Sequence, residues 1–148
     1  MDALRLFIGI PAPQPVRDEI DSAHRRLEEL LGNGAVRWVR PENYHLTLLF
    51  LGETPAGLVE RLLAAMSAAA LRVPAPNASA CDAGTAGGPV LGPLGAFPSA
   101  TRPRTIVVTV DDRSGTLREM HLCLRRELAA SAVSLPIDDR PLRPHITL

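Results

Sequence analysis

The chain contains no lysine: all sixteen of its basic residues are arginine. A Schiff-base site, a lysyl-nucleotide intermediate and a phosphate loop in which lysine reaches the phosphates all require a lysine amine, so these three kinds of chemistry are excluded. The preference for arginine is typical of a general bias toward Arg and Ala. It gives no sign, by itself, of selection for phosphate binding.

Cysteine, net charge and long apolar runs are also scarce. Cys81 and Cys123 lie far apart without a C-x-x-C pattern, which predicts small buried residues rather than a disulfide or zinc site. Sixteen acidic residues balance the arginines, so recognition of phosphate must be local. No apolar run approaches the roughly 20 residues that a membrane span needs. We therefore expect a cytoplasmic protein that does not contact membranes.

Length and apolar periodicity predict one α+β domain over residues 1–148, made of two similar strand-helix-strand halves. The first predicted elements, in order, are strand Leu4–Ile10, helix Val16–Leu31, strands Val36–Val39 and Tyr44–Leu51, and a helix with Thr54 as N-cap and Pro55 in its first turn that ends near Leu71. Loops with weak strands follow between Val73 and Arg104, and then strand Thr105–Val110, a helix capped by Ser114 and a last apolar stretch Leu142–Leu148.

One short phrase occurs twice, as RPENYHLTL from Arg40 and as RPLRPHITL at the end of the chain. Successive side chains on a strand point to opposite faces, so each copy would present a histidine and a threonine on one face and two apolar residues on the other. The polar set is His45, Thr47, His145 and Thr147, and the apolar set is Leu46, Leu48, Ile146 and Leu148.

Two such strands related by a pseudo-twofold axis would bring two imidazoles and two hydroxyls into one pocket. Imidazole has an ordinary pKa of about 6.5, so one ring can act as base while the other acts as acid near neutral pH. Threonine hydroxyls can donate to the non-bridging oxygens of a phosphate. The repeat therefore favours acid–base chemistry on a phosphate ester.

Two other interpretations of the histidines compete with this one. A single His-x-Thr is more often a structural strand histidine, but two copies with the same flanking residues favour function. A metal site is the weaker alternative, since a closed zinc site needs three or four ligands and neither motif contains an acidic residue. His24 and His121 lie in predicted helices without the repeated context, and we interpret them as ordinary helix residues.

Four segments together resemble the two-histidine (2H) phosphoesterases, and most closely the RNA 2′,3′-cyclic phosphodiesterases, also described as 2′-5′ RNA ligases. The segments are RLFIGIPAP, WVRPENYHLTLLFLGE, LGAFPSATRPRTIVVTV and LRPHITL, in the family's order over nearly the whole chain. The resemblance implies a bilobal fold in which two antiparallel sheets flank a cleft, with helices outside. It also implies hydrolysis of 2′,3′-cyclic phosphates on RNA ends or nucleotides to 2′-phosphates, without a metal or other cofactor.

Carried over residue by residue, the resemblance makes His45 and His145 the catalytic pair and Thr47 and Thr147 the phosphate-binding hydroxyls. We take His145 as base and His45 as acid, although nothing in the sequence breaks their symmetry. Phe7 is a further candidate for contact with a base or ribose, and its alternative interpretation is a core aromatic. Arg40 and Arg143 are candidates for contact with phosphate, and their alternative interpretation is exposure to solvent or a salt bridge.

The chain departs from the family pattern after Leu148, where family members continue with an arginine-containing loop and further strands. A sheet without those strands would expose an edge, and we expect self-association through that edge. This departure leaves a second hypothesis open, a catalytically silent module that binds RNA ends or nucleotides. A third is slow 2′-5′ end-joining of RNA, which is the reverse of the same chemistry.

Overall fold

The computed structural model describes residues 3–32, 34–73, 88–131, 133, 135, 137 and 140–148. Its elements, in chain order, are β1 Ala3–Pro11, α1 Gln14–Leu31, β2 His45–Pro55, α2 Val59–Arg72, β3 Val90–Ser99, β4 Arg102–Asp111, α3 Thr116–Ala130 and β5 His145–Thr147. Short 3₁₀ turns over Pro41–Asn43 and Ala56–Leu58 precede β2 and α2. The predicted α+β class is confirmed, and the prediction for Cys81 lies outside the described residues.

The described strands form one five-stranded sheet in the order β1-β2-β5-β4-β3. The predicted pair of sheets flanking a cleft is therefore not confirmed. The physical reason is that β5 pairs antiparallel with β2 along one edge and with β4 along the other, which joins the strands of both halves of the sequence. Self-association through a sheet edge stays a prediction, as does the cytoplasmic location.

The chain divides into two compact units, which are described separately. The first combines residues 1–8, 47–90 and 112–143. Within its described part, α2 and α3 pack together, and the Arg72 guanidinium lies 2.7 Å from the Glu127 carboxylate. His121 of α3 is buried and its Nδ1 donates to the Leu48 carbonyl at 2.8 Å, so this histidine is a structural link between α3 and β2.

The second unit combines residues 9–46, 91–111 and 144–148, which include α1, β3, β4 and β5. Helix α1 ends at Gly32, whose φ of 77° suits glycine. Of the apolar stripe predicted along this helix, Ile20 is fully buried whereas Leu30 and Leu31 are exposed. The core of this unit also contains buried residues of β4 and β5, namely Val107, Val108 and Ile146.

Three local predictions are wrong. Residues Val36–Val39 form no strand. The predicted cap at Thr54 is instead the end of β2, because Thr54 is fully buried and its hydroxyl donates to the Gly52 carbonyl. Ser114 is not the N-cap residue of α3, because Gly115 takes that position with a φ of 72°. The Ser114 hydroxyl still accepts from the Thr116 N–H at 3.3 Å, and the Asp112 carboxylate accepts from the N–H groups of Leu117 and Arg118.

No helix in the described part of the chain is long and apolar enough to cross a membrane. The last predicted strand is shorter than expected, covering His145–Thr147 of the apolar stretch. The buried state predicted for Cys123 is confirmed.

Candidate active site

The two His-x-Thr motifs lie on neighbouring antiparallel strands. Leu46 of β2 is directly opposite Ile146 of β5. Antiparallel strands run in opposite directions, so the residue before Leu46 pairs with the residue after Ile146. His45 therefore lies opposite Thr147, on the same face of the sheet. The pairing register therefore puts an imidazole of the first motif beside the hydroxyl of the second.

The alternation of faces predicted for both motifs is confirmed. The four residues between and after the polar ones are buried, with 6% or less of their surface exposed: Leu46, Leu48, Ile146 and Leu148. The four polar residues His45, Thr47, His145 and Thr147 are all partly exposed. Each motif therefore anchors its strand through one face and offers polar groups to solvent through the other.

His45 is oriented by its own preceding turn. Its Nδ1 lies 2.8 Å from the Asn43 carbonyl oxygen, which can only accept, so Nδ1 carries the proton. The carbonyl is itself fixed by the 3₁₀ turn, in which the Asn43 N–H donates to the Arg40 carbonyl at 2.8 Å. When the ring is neutral, this arrangement leaves the lone pair on Nε2, the nitrogen on the far side of the ring.

Tyr44, directly before His45, anchors the motif to α1. The side chain is 1% exposed, and its hydroxyl hydrogen-bonds to Nδ1 of His24 at 2.9 Å. Burial, with a smaller contribution from the negative charge of Asp21, raises the pKa of Tyr44 to about 12. The phenol therefore stays neutral near pH 7 and serves as a packing anchor rather than as an acid or base.

His145 is positioned by neighbours on β3 and β4. It stands opposite Thr109 of β4, and Thr147 stands opposite Val107. The Phe97 ring of β3 packs against the His145 imidazole in an edge-on arrangement, with centroids 4.8 Å apart. Neither Phe97 nor Thr109 was predicted as a neighbour of the site. The only signal for Phe97 in the sequence is that aromatic residues are scarce, with three phenylalanines in the chain.

Close packing of β3 on β4 supports this arrangement. The Thr109 hydroxyl donates to the Pro93 carbonyl at 2.8 Å. A Cβ added to Gly92 would lie 2.5 Å from that hydroxyl oxygen, so the approach of the two strands requires glycine there. Contacts with β3 therefore fix Thr109, the residue that pairs with His145.

The remaining predicted residues are distributed as follows. Thr47 lies two residues beyond His45 on the same face of β2, and belongs to the first compact unit. Phe7 is not a core aromatic, since 48% of its surface is exposed and its ring lies 6.3 Å from that of exposed Phe50. Arg143 is exposed. Arg40 is exposed too, with one long contact of 3.9 Å to Glu42.

Within the described residues, no three or more His, Cys, Asp and Glu side chains are grouped as metal ligands. The chemistry that the site residues themselves can supply is proton transfer by two imidazoles and hydrogen-bond donation by threonine hydroxyls.

Known proteins are similar to this chain in sequence and in fold. The model of the family described as LigT like phosphoesterase matches residues 10–87. An RNA 2′,3′-cyclic phosphodiesterase of Geobacillus stearothermophilus is 37% identical over 113 residues, which are 75% of this chain and 31% of that protein. The RNA 2′,3′-cyclic phosphodiesterase of Thermus thermophilus is 31% identical over 98% of this chain and 67% of its own length.

Two crystal structures are similar over nearly the whole chain. TT0787 of Thermus thermophilus superposes with a TM-score of 0.72 at 28% identity, covering 98% of this chain and 73% of that one. E. coli LigT complexed with 3′-AMP gives a TM-score of 0.67 at 26% identity, covering 99% of this chain and 72% of that one. The chain thus spans about a third of the Geobacillus protein and about two thirds to three quarters of the others.

Proposed function

The chain belongs to the LigT-like phosphoesterase family, and on that premise we propose that it hydrolyses 2′,3′-cyclic phosphates on RNA ends or nucleotides to 2′-phosphates. The observation that carries this proposal is the register of β2 against β5, which sets His45 opposite Thr147. Relatives described as RNA 2′,3′-cyclic phosphodiesterases and a similar structure complexed with 3′-AMP support the choice of substrate.

The proposed reaction needs two proton transfers. Water attacks the cyclic phosphorus while His145 accepts its proton, and the bond from phosphorus to the 3′ oxygen breaks as His45 protonates that oxygen. The product carries a 2′-phosphate and a free 3′ hydroxyl. Thr47 and Thr147 donate to the non-bridging oxygens, on which charge accumulates in the transition state. No metal ion takes part.

One contact supports the assignment of His45 as the acid. The Asn43 carbonyl presents the negative end of its dipole to Nδ1 at 2.8 Å. Because Nδ1 is held by this carbonyl, the proton that the ring donates leaves from Nε2. His145, which packs against the apolar Phe97 ring, then takes the role of base.

The test is hydrolysis of a 2′,3′-cyclic mononucleotide in excess EDTA by the parent chain, His45→Ala, His145→Ala and the double variant. Each single variant should lose about 10²–10⁴-fold in kcat, the usual contribution of a positioned acid or base. The double variant should be little worse than either single one, since the two groups act as a unit. Arg61→Ala, an exposed change on α2, serves as the control.

The pH profile of kcat/KM gives an independent check. One histidine must be neutral and the other charged, so the profile should be bell-shaped, and each single variant should lose one limb of the bell. A flat profile between about pH 5 and 8 in the parent chain would contradict the two-histidine mechanism. Binding of the cyclic nucleotide by folded protein without turnover would favour the silent binding module instead.

A further inference from the structure

An open groove adjoins the first motif. It has a volume of about 530 Å³ and is lined by Arg37, Trp38, Val39, Arg40 and Asn43, and we call it the Trp38 groove. Asn43 is shared with the candidate active site, because its carbonyl accepts the hydrogen bond from His45. All of these residues belong to the same compact unit as His45 and His145. A ligand in the groove would therefore lie next to one held at His45.

Trp38 forms a prearranged platform in this groove. The indole is partly exposed, and one side of it stacks on the His24 ring, with centroids 4.4 Å apart and planes tilted by 36°. His24 is held in turn by its hydrogen bond to the buried Tyr44. Because its packing fixes it, the indole loses little conformational freedom when a ligand stacks on it. A nucleobase is a suitable ligand, since every base has a flat face that stacks on an aromatic ring.

Arg37 and Arg40, which precede and follow Trp38 in the sequence, supply positive charge to the groove. Both are exposed, and Arg37 has no ion-pair partner among the residues that the structure describes. Arg40 contacts Glu42 at 3.9 Å, but with side chains 81% and 63% exposed, this pair is screened by solvent. Guanidinium groups bind phosphate through paired hydrogen bonds, so both can contact a phosphodiester.

We propose that the Trp38 groove binds the nucleotide on the 5′ side of the reacting end, with its base on Trp38 and its phosphodiester against Arg37 and Arg40. The inference rests on the proposed function and adds a preference for RNA strands over mononucleotides. A 2′,3′-cyclic phosphate closes the 3′ end of a strand, so the strand can continue from the active site only in the 5′ direction. The balanced charge of the chain agrees with a footprint of one or two phosphates.

The first test compares kcat/KM for an RNA tetranucleotide ending in a 2′,3′-cyclic phosphate with that for the 2′,3′-cyclic mononucleotide. One stacked base should favour the tetranucleotide by about 5- to 150-fold. The double variant Arg37→Ala with Arg40→Ala should lower this ratio, mainly through KM, while the part that comes from stacking on Trp38 remains. Arg61→Ala is the matched control on α2 and should keep the ratio of the parent chain. If the parent chain shows the same kcat/KM for the tetranucleotide and the mononucleotide, the proposal is overturned.

The second test needs no turnover. Trp38 is the only tryptophan in the chain, so tryptophan fluorescence reports on the groove alone. Titration with the tetranucleotide carrying a 2′-phosphate should quench it at lower concentration than the 2′-phosphorylated mononucleotide. The double arginine variant should weaken the quench. Its slope of log affinity against log salt should be shallower by about 0.7 for each phosphate that the protein no longer binds.

The two tests separate the possible failures. If quenching depends on the arginines but neither substrate is hydrolysed, the Trp38 groove binds RNA as proposed and the proposed hydrolase activity is overturned. Hydrolysis of both substrates at similar kcat/KM, with no change in fluorescence, would sustain the hydrolase and overturn the groove. Quenching that is equally strong with the mononucleotide would also overturn the proposal, because the groove would then hold the reacting nucleotide itself.

Discussion

The two copies of the His-x-Thr phrase are held in different ways. The first opens an eleven-residue strand, and its histidine is oriented by the carbonyl of Asn43, two residues earlier. The second lies on a strand of three residues between β2 and β4, and its histidine packs against Phe97, almost fifty residues earlier in the chain. The first histidine is therefore oriented by local structure, and the second is oriented by the rest of the sheet.

Backbone hydrogen bonds show the same contrast. Just outside β5, the Pro144 carbonyl accepts from the Val110 N–H at 2.9 Å, and the Leu148 N–H donates to the Ile106 carbonyl at 3.0 Å. Both partners lie on β4. Just before β2, the Tyr44 carbonyl likewise accepts from a distant group, the Ala12 N–H, at 2.9 Å, but the Tyr44 N–H donates to the Pro41 carbonyl within the same turn. The first phrase thus has a local bond beside its long-range bond, whereas the two bonds of the second phrase are both long-range.

The largest expected effect comes from removing the apolar anchor of the second motif. Ile146 is 4% exposed and faces Leu46 on one side and Val108 on the other. Ile146→Ala should lower the free energy of unfolding by about 2–5 kcal/mol, through lost burial and the cavity left behind. Urea unfolding measures this change. Ile146→Val, which removes a single methylene, should lower it by about 0.5–1.5 kcal/mol.

Leu46→Ala provides the comparison with the first motif, because Leu46 is buried to a similar degree. If the second motif depends more on the sheet, Ile146→Ala should also lower hydrolysis by the folded protein more than Leu46→Ala does. A destabilisation below about 1 kcal/mol for Ile146→Ala would show that β5 is not packed between its two neighbours.

The contrast explains which features could be predicted from sequence. The alternation at His45–Leu48 and at His145–Leu148 depends on strand geometry alone, and both patterns were predicted correctly. The neighbours of His145 were not predictable, because Phe97 and Thr109 approach it through pairing between distant segments. Likewise, Thr54 has the composition of a helix cap, but its burial at the end of β2 overrides that local preference.

The next largest effect tests whether the two threonines are equivalent. Thr147→Val and Thr47→Val keep the shape of the side chain but remove the hydroxyl. Each should lower kcat for a 2′,3′-cyclic nucleotide by about 10²–10³-fold, the usual effect of removing a donor to a developing negative charge. Thr→Ser at either position retains the hydroxyl and should restore most of the rate. A loss confined to one position would show that the repeated motifs do not share the phosphate.

The smallest expected effect concerns Tyr44 and Pro144, the residues directly before the two histidines. Both contribute a backbone carbonyl that accepts a long-range hydrogen bond, but Tyr44 also contributes a buried phenol bonded to His24. Tyr44 is the only tyrosine in the chain, so the ultraviolet absorbance of ionised tyrosine follows it alone. The folded protein should titrate with a pKa of about 12, and the urea-unfolded chain near the ordinary value of about 10.

The sign of the linked effect on stability follows from this difference. Between about pH 10 and 12, the folded protein keeps the phenolic proton that the unfolded chain has lost, so this contribution to the free energy of unfolding falls as pH rises. Tyr44→Phe cannot ionise and should lose this part of the pH dependence. At neutral pH, it should lower stability by about 1–3 kcal/mol, because Nδ1 of His24 loses its partner. A folded-state pKa near 10 would mean that the first motif is not anchored through a buried phenol.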